Sequence, residues 1–337
     1  VSARATGIGS MPGGDVLGNE ADNSRAYAEA VRLVAGELPD LLHVPELPGR
    51  GAGASLTGRG LALLSGLAAD LQPAGWRLTD HSGMDHRRAR SLLAQDLDVV
   101  EEHTQGFGGV FKTQVAGPWT LAATVEKPRG DKVLSDHGAR RELAESLAEG
   151  LRDHVADVRR RVTGATEIIV QIDEPALPAV LAAQIPTASG WGKHRAVHPP
   201  EASALLGLVL AAVSGAGATP IVHSCAPDVP IALLRGAGAG GISVDLDLLS
   251  PASYDDLAAA VDAGEWVLLG AVPSLAPQTP PTEGGVTERV LRLLDMLGLE
   301  PTERLVVTPS CGLAGADPGW ARTALELSRK AAANLTA

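Results

Sequence analysis

Eight short apolar or β-branched runs punctuate this chain, at Ala5–Ser10, Leu41–Leu47, Val110–Ala116, Glu167–Asp173, Pro220–Cys225, Gly241–Leu246, Trp266–Val272 and Arg304–Pro309. Longer stretches with apolar residues at helical spacing lie between most of them. These are Ser24–Leu38, Asp85–His103, His137–Val162, Glu201–Val213, Val229–Leu234, Tyr254–Ala263, Val286–Leu297 and Pro318–Asn334. Strands that alternate with helices pair in parallel, because a parallel neighbour needs a crossover. Eight such units in 337 residues predict an α/β fold closed as a (β/α)8 TIM barrel rather than an open sheet. The expected organisation is one barrel domain over residues 1–337.

One connection is too long for a single crossover. Between Leu47 and Val110 stand a Gly-rich stretch (Gly49–Gly60), an apolar run read as a helix (Leu61–Leu71), Trp76, and a basic helix near Arg87, Arg88 and Arg90. It is read as an extended insertion after the second strand, over about residues 49–108, on the rim where binding loops gather. Within it, His81 and His86 are expected to be solvated, and a solvated face is the default for Arg50 and Arg59. His43 and His198 read as hydrogen-bonded structural histidines. Trp119, Trp191 and Trp320 read as partial core.

Apolar residues make up 45% of the chain and aromatics only 3%, so Ala, Leu, Val and Gly must fill the core. The net charge of −12 argues against nucleic acid or an anionic membrane as a partner. No uninterrupted apolar run is long enough to span a bilayer, and the N-terminus has no signal-peptide pattern. Two cysteines do not make a disulfide framework. The expectation is a soluble cytoplasmic protein whose cysteines are reduced and free to bind metal.

Barrel enzymes draw their catalytic groups from the C-terminal ends of several strands. Here those ends carry Ser10, Glu46, Gln114, Asp173-Glu174, His223-x-Cys225, Asp245-x-Asp247 and Cys311. The period of two along a strand turns His223 and Cys225 to one side. A thiolate beside an imidazole begins a zinc site, and Cys311 at the rim of the last strand supplies a third ligand. Asp245 is the preferred carboxylate ligand, with Asp247 as the alternative on the following loop. One exchangeable position suits a catalytic rather than a structural zinc, one that holds a substrate thiol as a thiolate. Asp173 and Glu174 are adjacent on a strand and cannot both face the centre, which disfavours a glycosidase pair.

Several motifs together resemble the C-terminal catalytic barrel of the cobalamin-independent methionine synthase family. They are Ile8-Gly9-Ser10, Gly117-Pro118-x-Thr120, Gln171-Ile172-Asp173-Glu174-Pro175-Ala176, His223-x-Cys225 and Pro309-x-Cys311-Gly312-Leu313, in family order along nearly the whole chain. The resemblance implies zinc held by His223, Cys225, Cys311 and a carboxylate that falls on Asp245, where the family usually has Glu. It implies homocysteine contacts at Ile8, Gly9, Ser10, Glu46 and Asp173, and transfer of a methyl group to the homocysteine thiol to give methionine. The chain departs from the pattern in two ways. The family's N-terminal barrel, which helps bind folate polyglutamate, has no counterpart, so the expected form is the short single-barrel one. The family's histidine after the seventh strand is also missing from Gly270–Ser274 and the loop beyond. The methyl donor therefore stays open between a corrinoid protein and methyltetrahydrofolate. Transfer of another alkyl group, another acceptor thiol, and a non-catalytic zinc- or thiol-binding barrel are the alternatives.

Overall fold

The computed structural model describes residues 3–335. Along the chain run β1 (Arg4–Ala5), α1 (Glu20–Glu37), β2 (Leu41–His43), α2 (Leu56–Ala62), β3 (Ala68–Gln72), β4 (Gly75–Thr79) and α3 (Met84–His103). Next come β5 (Val110–Ala116), α4 (Pro118–Thr124), α5 (His137–Arg161), β6 (Glu167–Asp173), α6 (Leu177–Leu181), α7 (Pro199–Gly215) and β7 (Thr219–Ser224). The remainder is α8 (Ile231–Gly236), β8 (Gly241–Asp245), α9 (Tyr254–Asp262), β9 (Trp266–Val272), α10 (Glu283–Leu297), β10 (Leu305–Pro309) and α11 (Pro318–Asn334).

Eight strands pair in parallel in the order β1-β10-β9-β8-β7-β6-β5-β2. The gap between β2 and β1 is closed above their ends by a parallel bridge between Ser10 and Glu46. This is the α/β barrel expected from the alternating pattern. Its inner face is layered. Leu41, Val110, Ile169, Ile221, Trp266, Leu268 and Val306 form a separate apolar cluster that plugs the interior. Two residues further along the same strands, the buried side chains become polar: His43, Lys112, Gln171 and His223. The larger apolar core lies outside the strands, under the helices.

Two predicted strands are shorter than expected. The first stops at Ala5 and the second at His43, because beyond them the ladder gives way to other partners. The Gly7 N–H donates to His43 Nδ1 (3.3 Å), the Glu46 N–H to the Gly9 carbonyl (3.1 Å), and the Met11 N–H to the Glu46 carbonyl (2.8 Å).

The apolar run Leu61–Leu71 is not a helix. α2 ends at Ala62, and the following residues form an antiparallel hairpin, β3–β4, from Ala68↔Thr79 to Gln72↔Gly75. Pro73-Ala74 makes its turn, and the alternation of buried Trp76 and Leu78 marks its inner face. His86 is buried, not solvated; Ala69 N–H donates to its Nδ1, and its Nε2 lies 3.0 Å from the Leu61 carbonyl. Arg50 and Arg59 are buried too, in ion pairs with Asp96. Trp119 and Trp320 are buried, as expected of partial core, whereas Trp191 stands 96% exposed. Among the described residues no helix is long and apolar enough to cross a membrane.

Candidate active site

The polar strand ends converge on one pocket of about 190 Å³ at the C-terminal mouth of the barrel. Ile8, Gly9, Ser10, Glu46, Gln114, Asp173, His223, Cys225, Cys311 and Gly312 line it, with Pro48, Leu56 and Pro175 as apolar walls. A larger cavity of about 650 Å³ lies between α1 and α3, around Tyr27 and Arg50, and holds none of the sulfur or imidazole groups. Chemistry, not size, identifies the site.

His223, Cys225 and Cys311 each present a ligand atom, and these atoms lie within 4.8 Å of one another. His223 lies in β7, Cys225 directly follows that strand, and Cys311 follows β10. The His223 ring is buried; Nδ1 lies 2.9 Å from Ser243 Oγ on the neighbouring strand, and Nε2 has no hydrogen-bond partner. A buried ring nitrogen costs free energy when left unpaired. The two sulfurs titrate as a pair. Cys311 is held well below the usual thiol range, first by a hydrogen bond from Cys225, with His223 adding to the effect. That same hydrogen bond, with burial, pushes Cys225 up. The pair thus keeps one proton, and only a strong cation would favour losing both.

Asp245 is not among the mutually close ligand atoms. Its Oδ1 accepts the Asp247 N–H (2.9 Å), and burial together with the charges of Asp247 and Cys311 raises its carboxyl above the ordinary range. Cys311 is thus close enough to Asp245 for their charges to interact. Asp247 is exposed and ion-paired with Arg289.

Glu46 and Asp173 line the same pocket, Asp173 directly beside His223 in the β6–β7 register. Glu46 Oε1 accepts from Arg59 Nε and Gln114 Nε2, both at 3.1 Å. Arg59 in turn bonds Asp96 Oδ2 (2.8 Å), and Arg50 grips both Asp96 oxygens at 2.8 Å. The Arg50 guanidinium lies over the Tyr27 ring, 4.7 Å from its centroid. Asp173 Oδ1 accepts from Gln171 Nε2 (2.7 Å). Burial pushes the Asp173 carboxyl up to about 7 and the Lys112 ammonium down to about 7. Ser10 meets Gly312 closely: a Cβ on Gly312 would stand 2.0 Å from Ser10 Oγ.

Glu174 points the other way, as adjacency to Asp173 requires. Its carboxylate accepts the Trp119 N–H, the Thr120 N–H and the Thr120 hydroxyl at 2.9, 2.8 and 2.7 Å. Those are the unpaired donors at the N-terminus of α4, so Glu174 caps a helix.

This combination of motifs in a parallel barrel is matched at the level of sequence families. Residues 110–334, two thirds of the chain, match the family model described as cobalamin-independent synthase, catalytic domain. The chain belongs to that family. A B12-independent methionine synthase from Shewanella sp. W3-18-1, solved in complex with selenomethionine, has the same fold. It superposes with a TM-score of 0.65 at 15% identity, over 98% of this chain and 97% of that one. A methylaspartate ammonia lyase from Clostridium tetanomorphum matches at a TM-score of 0.45 and 11% identity, over 99% of this chain and 60% of that one. No curated protein sequence matches significantly.

Within this synthase-family chain, sequence reasoning missed Lys112, Asp96 and Ser243 as supporting residues, and quoted Gln171 in a motif without giving it a role. Lys112 and Gln171 did carry a signal. Each is a buried polar residue two positions along its strand from an apolar inward residue, Val110 or Ile169, where an unpaired polar group is costly.

Proposed function

We propose that this chain is a zinc-dependent thiol S-methyltransferase that transfers a methyl group to homocysteine and yields methionine. The observation that carries the reading is a His-Cys-Cys ligand set and a pair of carboxylates lining one small pocket. The donor set fits zinc. Two thiolates and an imidazole are its ordinary ligands, and His223 Nε2 is a buried nitrogen without another partner. With Nε2 as ligand, Nδ1 carries the proton and donates to Ser243, the outer hydrogen bond that ligating histidines usually make. Asp245 is proposed as the carboxylate ligand, which would give up its bond to the Asp247 N–H to reach the metal. Bound zinc would lower the pKa of the substrate thiol so that a nucleophilic thiolate forms near neutral pH.

The protein's own groups then orient the amino acid. Glu46 and Asp173 receive the ammonium, and Ser10 with the adjoining backbone of Gly9 and Ile8 receives the carboxylate. A bound ammonium favours the ionised form of Asp173, whose carboxyl burial has raised to about 7. Ile8, Pro48, Leu56 and Pro175 contact the methylenes and exclude water. Pro48 and Leu56 come from the segment after the second strand, which supports reading that segment as part of the functional rim. Fixing the sulfur against the methyl carbon removes orientational entropy from the transfer.

Metal analysis and turnover test this reading. Purified protein should hold one zinc per chain, and Cys311→Ser should lose it. Homocysteine would be offered with methylcobalamin, a methylated corrinoid protein, or methyltetrahydrofolate in mono- and polyglutamyl forms. Methionine should form with at least one donor; formation with none refutes methyl transfer, and stoichiometric zinc in Cys311→Ser refutes the ligand set.

A further inference from the structure

Lys112 lies beneath the pocket, fully buried in the barrel interior, and does not itself line the pocket wall. Its Nζ donates to the Ile8 carbonyl (2.9 Å), Gln171 Oε1 (2.8 Å) and Gln114 Oε1 (3.4 Å), which uses all three of its donors. None of these acceptors is a carboxylate. A buried ammonium bonded only to neutral oxygens is expensive, so a simple stabilising ion pair does not account for it.

The bonds have a directional consequence. An ammonium can only donate, so protonated Lys112 makes each glutamine turn its carbonyl oxygen toward Nζ and its NH2 group away from it. Gln114 Nε2 then reaches the Val44 carbonyl (2.6 Å) and Glu46 Oε1 (3.1 Å). Gln171 Nε2 reaches the Ile8 carbonyl (2.9 Å) and Asp173 Oδ1 (2.7 Å). Without that cation the amide oxygens lose their common donor, and only the acceptors around each NH2 group, the Val44 or Ile8 carbonyl and the carboxylate itself, are left to hold its orientation.

We infer that Lys112 is a positioning residue that makes the pocket selective for an α-ammonium group, by locking both glutamine amides so that their N–H groups hold Glu46 and Asp173 in place. The inference rests on the reading of those two carboxylates as the ammonium site. Lys112 does not touch the substrate. It acts through two relays from one centre, one on β5 itself and one on the neighbouring β6. The same ammonium anchors the Ile8 carbonyl, one residue before Gly9-Ser10.

The test compares two thiols that differ only in the ammonium: L-homocysteine and 4-mercaptobutanoate. Each is titrated calorimetrically into zinc-loaded full-length protein and into its Lys112→Met variant. Wild-type protein should prefer homocysteine. Lys112→Met should bind homocysteine at least about tenfold more weakly, the scale of a lost charge-assisted arrangement, and 4-mercaptobutanoate within about twofold of wild type. Zinc content should not change. Gln171→Met removes the relay to Asp173 together with the bonds of Gln171 to Lys112 and the Ile8 carbonyl, leaves the Gln114–Glu46 relay in place, and should shift selectivity in the same direction, so it carries the test if Lys112→Met does not fold. Equal weakening of both thiols, or unchanged homocysteine affinity, overturns the role of Lys112. Equal binding of both thiols by the wild-type protein instead overturns the ammonium site, and the inference falls with it.

Discussion

Asp96 is the residue whose loss should be felt furthest from its own position. It accepts two hydrogen bonds from Arg50 and one from Arg59, all at 2.8 Å, and none of the three side chains is more than 5% exposed. Arg59 also holds Glu46, so charges alternate along the row Arg50, Asp96, Arg59, Glu46 and sum to zero. Burial opposes the charge on Arg59, but Glu46 and Asp96 more than offset it and hold its proton more tightly than usual. Asp96→Ala leaves two guanidiniums with one carboxylate. Breaking a buried pair from one side costs about 3–5 kcal/mol, because the remaining charge stays desolvated. Adding Arg50→Met removes one stranded charge and should restore part of that loss, which a simple cavity effect would not do. Urea unfolding at pH 7, followed by circular dichroism, measures both steps. In the single variant Glu46 becomes the only counter-ion of Arg59, so homocysteine affinity should fall along with stability. A loss below about 1 kcal/mol in Asp96→Ala, or no recovery in the double variant, would refute the reasoning, since exposed ion pairs contribute no more than that.

Two further perturbations separate site from scaffold. Gly312→Ala places a methyl where Ser10 Oγ now lies, so the hydroxyl must rotate away; homocysteine affinity should fall about two- to tenfold, the scale of one hydrogen bond, and zinc content should hold. Adding Ser10→Ala to it should cost nothing more, and additive losses would show that the two do not act through one contact. His154 is buried against the Thr113 hydroxyl, and burial lowers its pKa to about 4. Its unfolded value is higher, so stability from the neutral ring is complete above about pH 6.5 and is lost as pH falls toward 4. Between pH 7 and pH 5 that amounts to about 2 kcal/mol by linkage. The difference in unfolding free energy between wild type and His154→Gln, from urea titrations, should shrink by that amount on acidification, and a constant difference would contradict the assignment.

The barrel was legible because its signal is repetitive: strand runs and helical stretches each recur with their own period. The β3–β4 hairpin was not, because Leu61–Leu71 has enough apolar residues for a helix and the alternation Trp76-x-Leu78 is only three residues long. Residues at the pocket wall were readable for a different reason. Polar groups at several strand ends in succession are unusual, and seven of them do meet in one pocket: Ser10, Glu46, Gln114, Asp173, His223, Cys225 and Cys311. Asp245 has the same sequence signature but caps the turn that follows it, and nothing in the sequence separates these outcomes. The supporting layer stayed hidden because its meaning depends on distant partners. Arg50 meets Asp96 46 residues later, and Lys112 meets Gln171 59 residues later. An arginine in a glycine-rich loop reads as solvated until its partner is known.

The pairing of two motifs also has a structural reason. Gly117-Pro118-x-Thr120 and Asp173-Glu174-Pro175 lie more than fifty residues apart, yet Glu174 joins them by capping α4. Gly117 has no side chain because a Cβ there would stand 2.3 Å from Glu174 Oε1. Pro118 sits in the first turn of α4, where its missing N–H is not needed. The Gly117 N–H donates to the Asp173 carbonyl (2.8 Å), so the start of α4 and the end of β6 are tied at two points. Adjacent residues on a strand diverge, and here that divergence is used on both sides. Glu174 fixes the strand end from outside the barrel, while Asp173 faces the pocket within it. Two neighbouring carboxylates that resemble a catalytic pair are thus one site residue and its anchor, and burial acts on both in the same direction because neither is solvated.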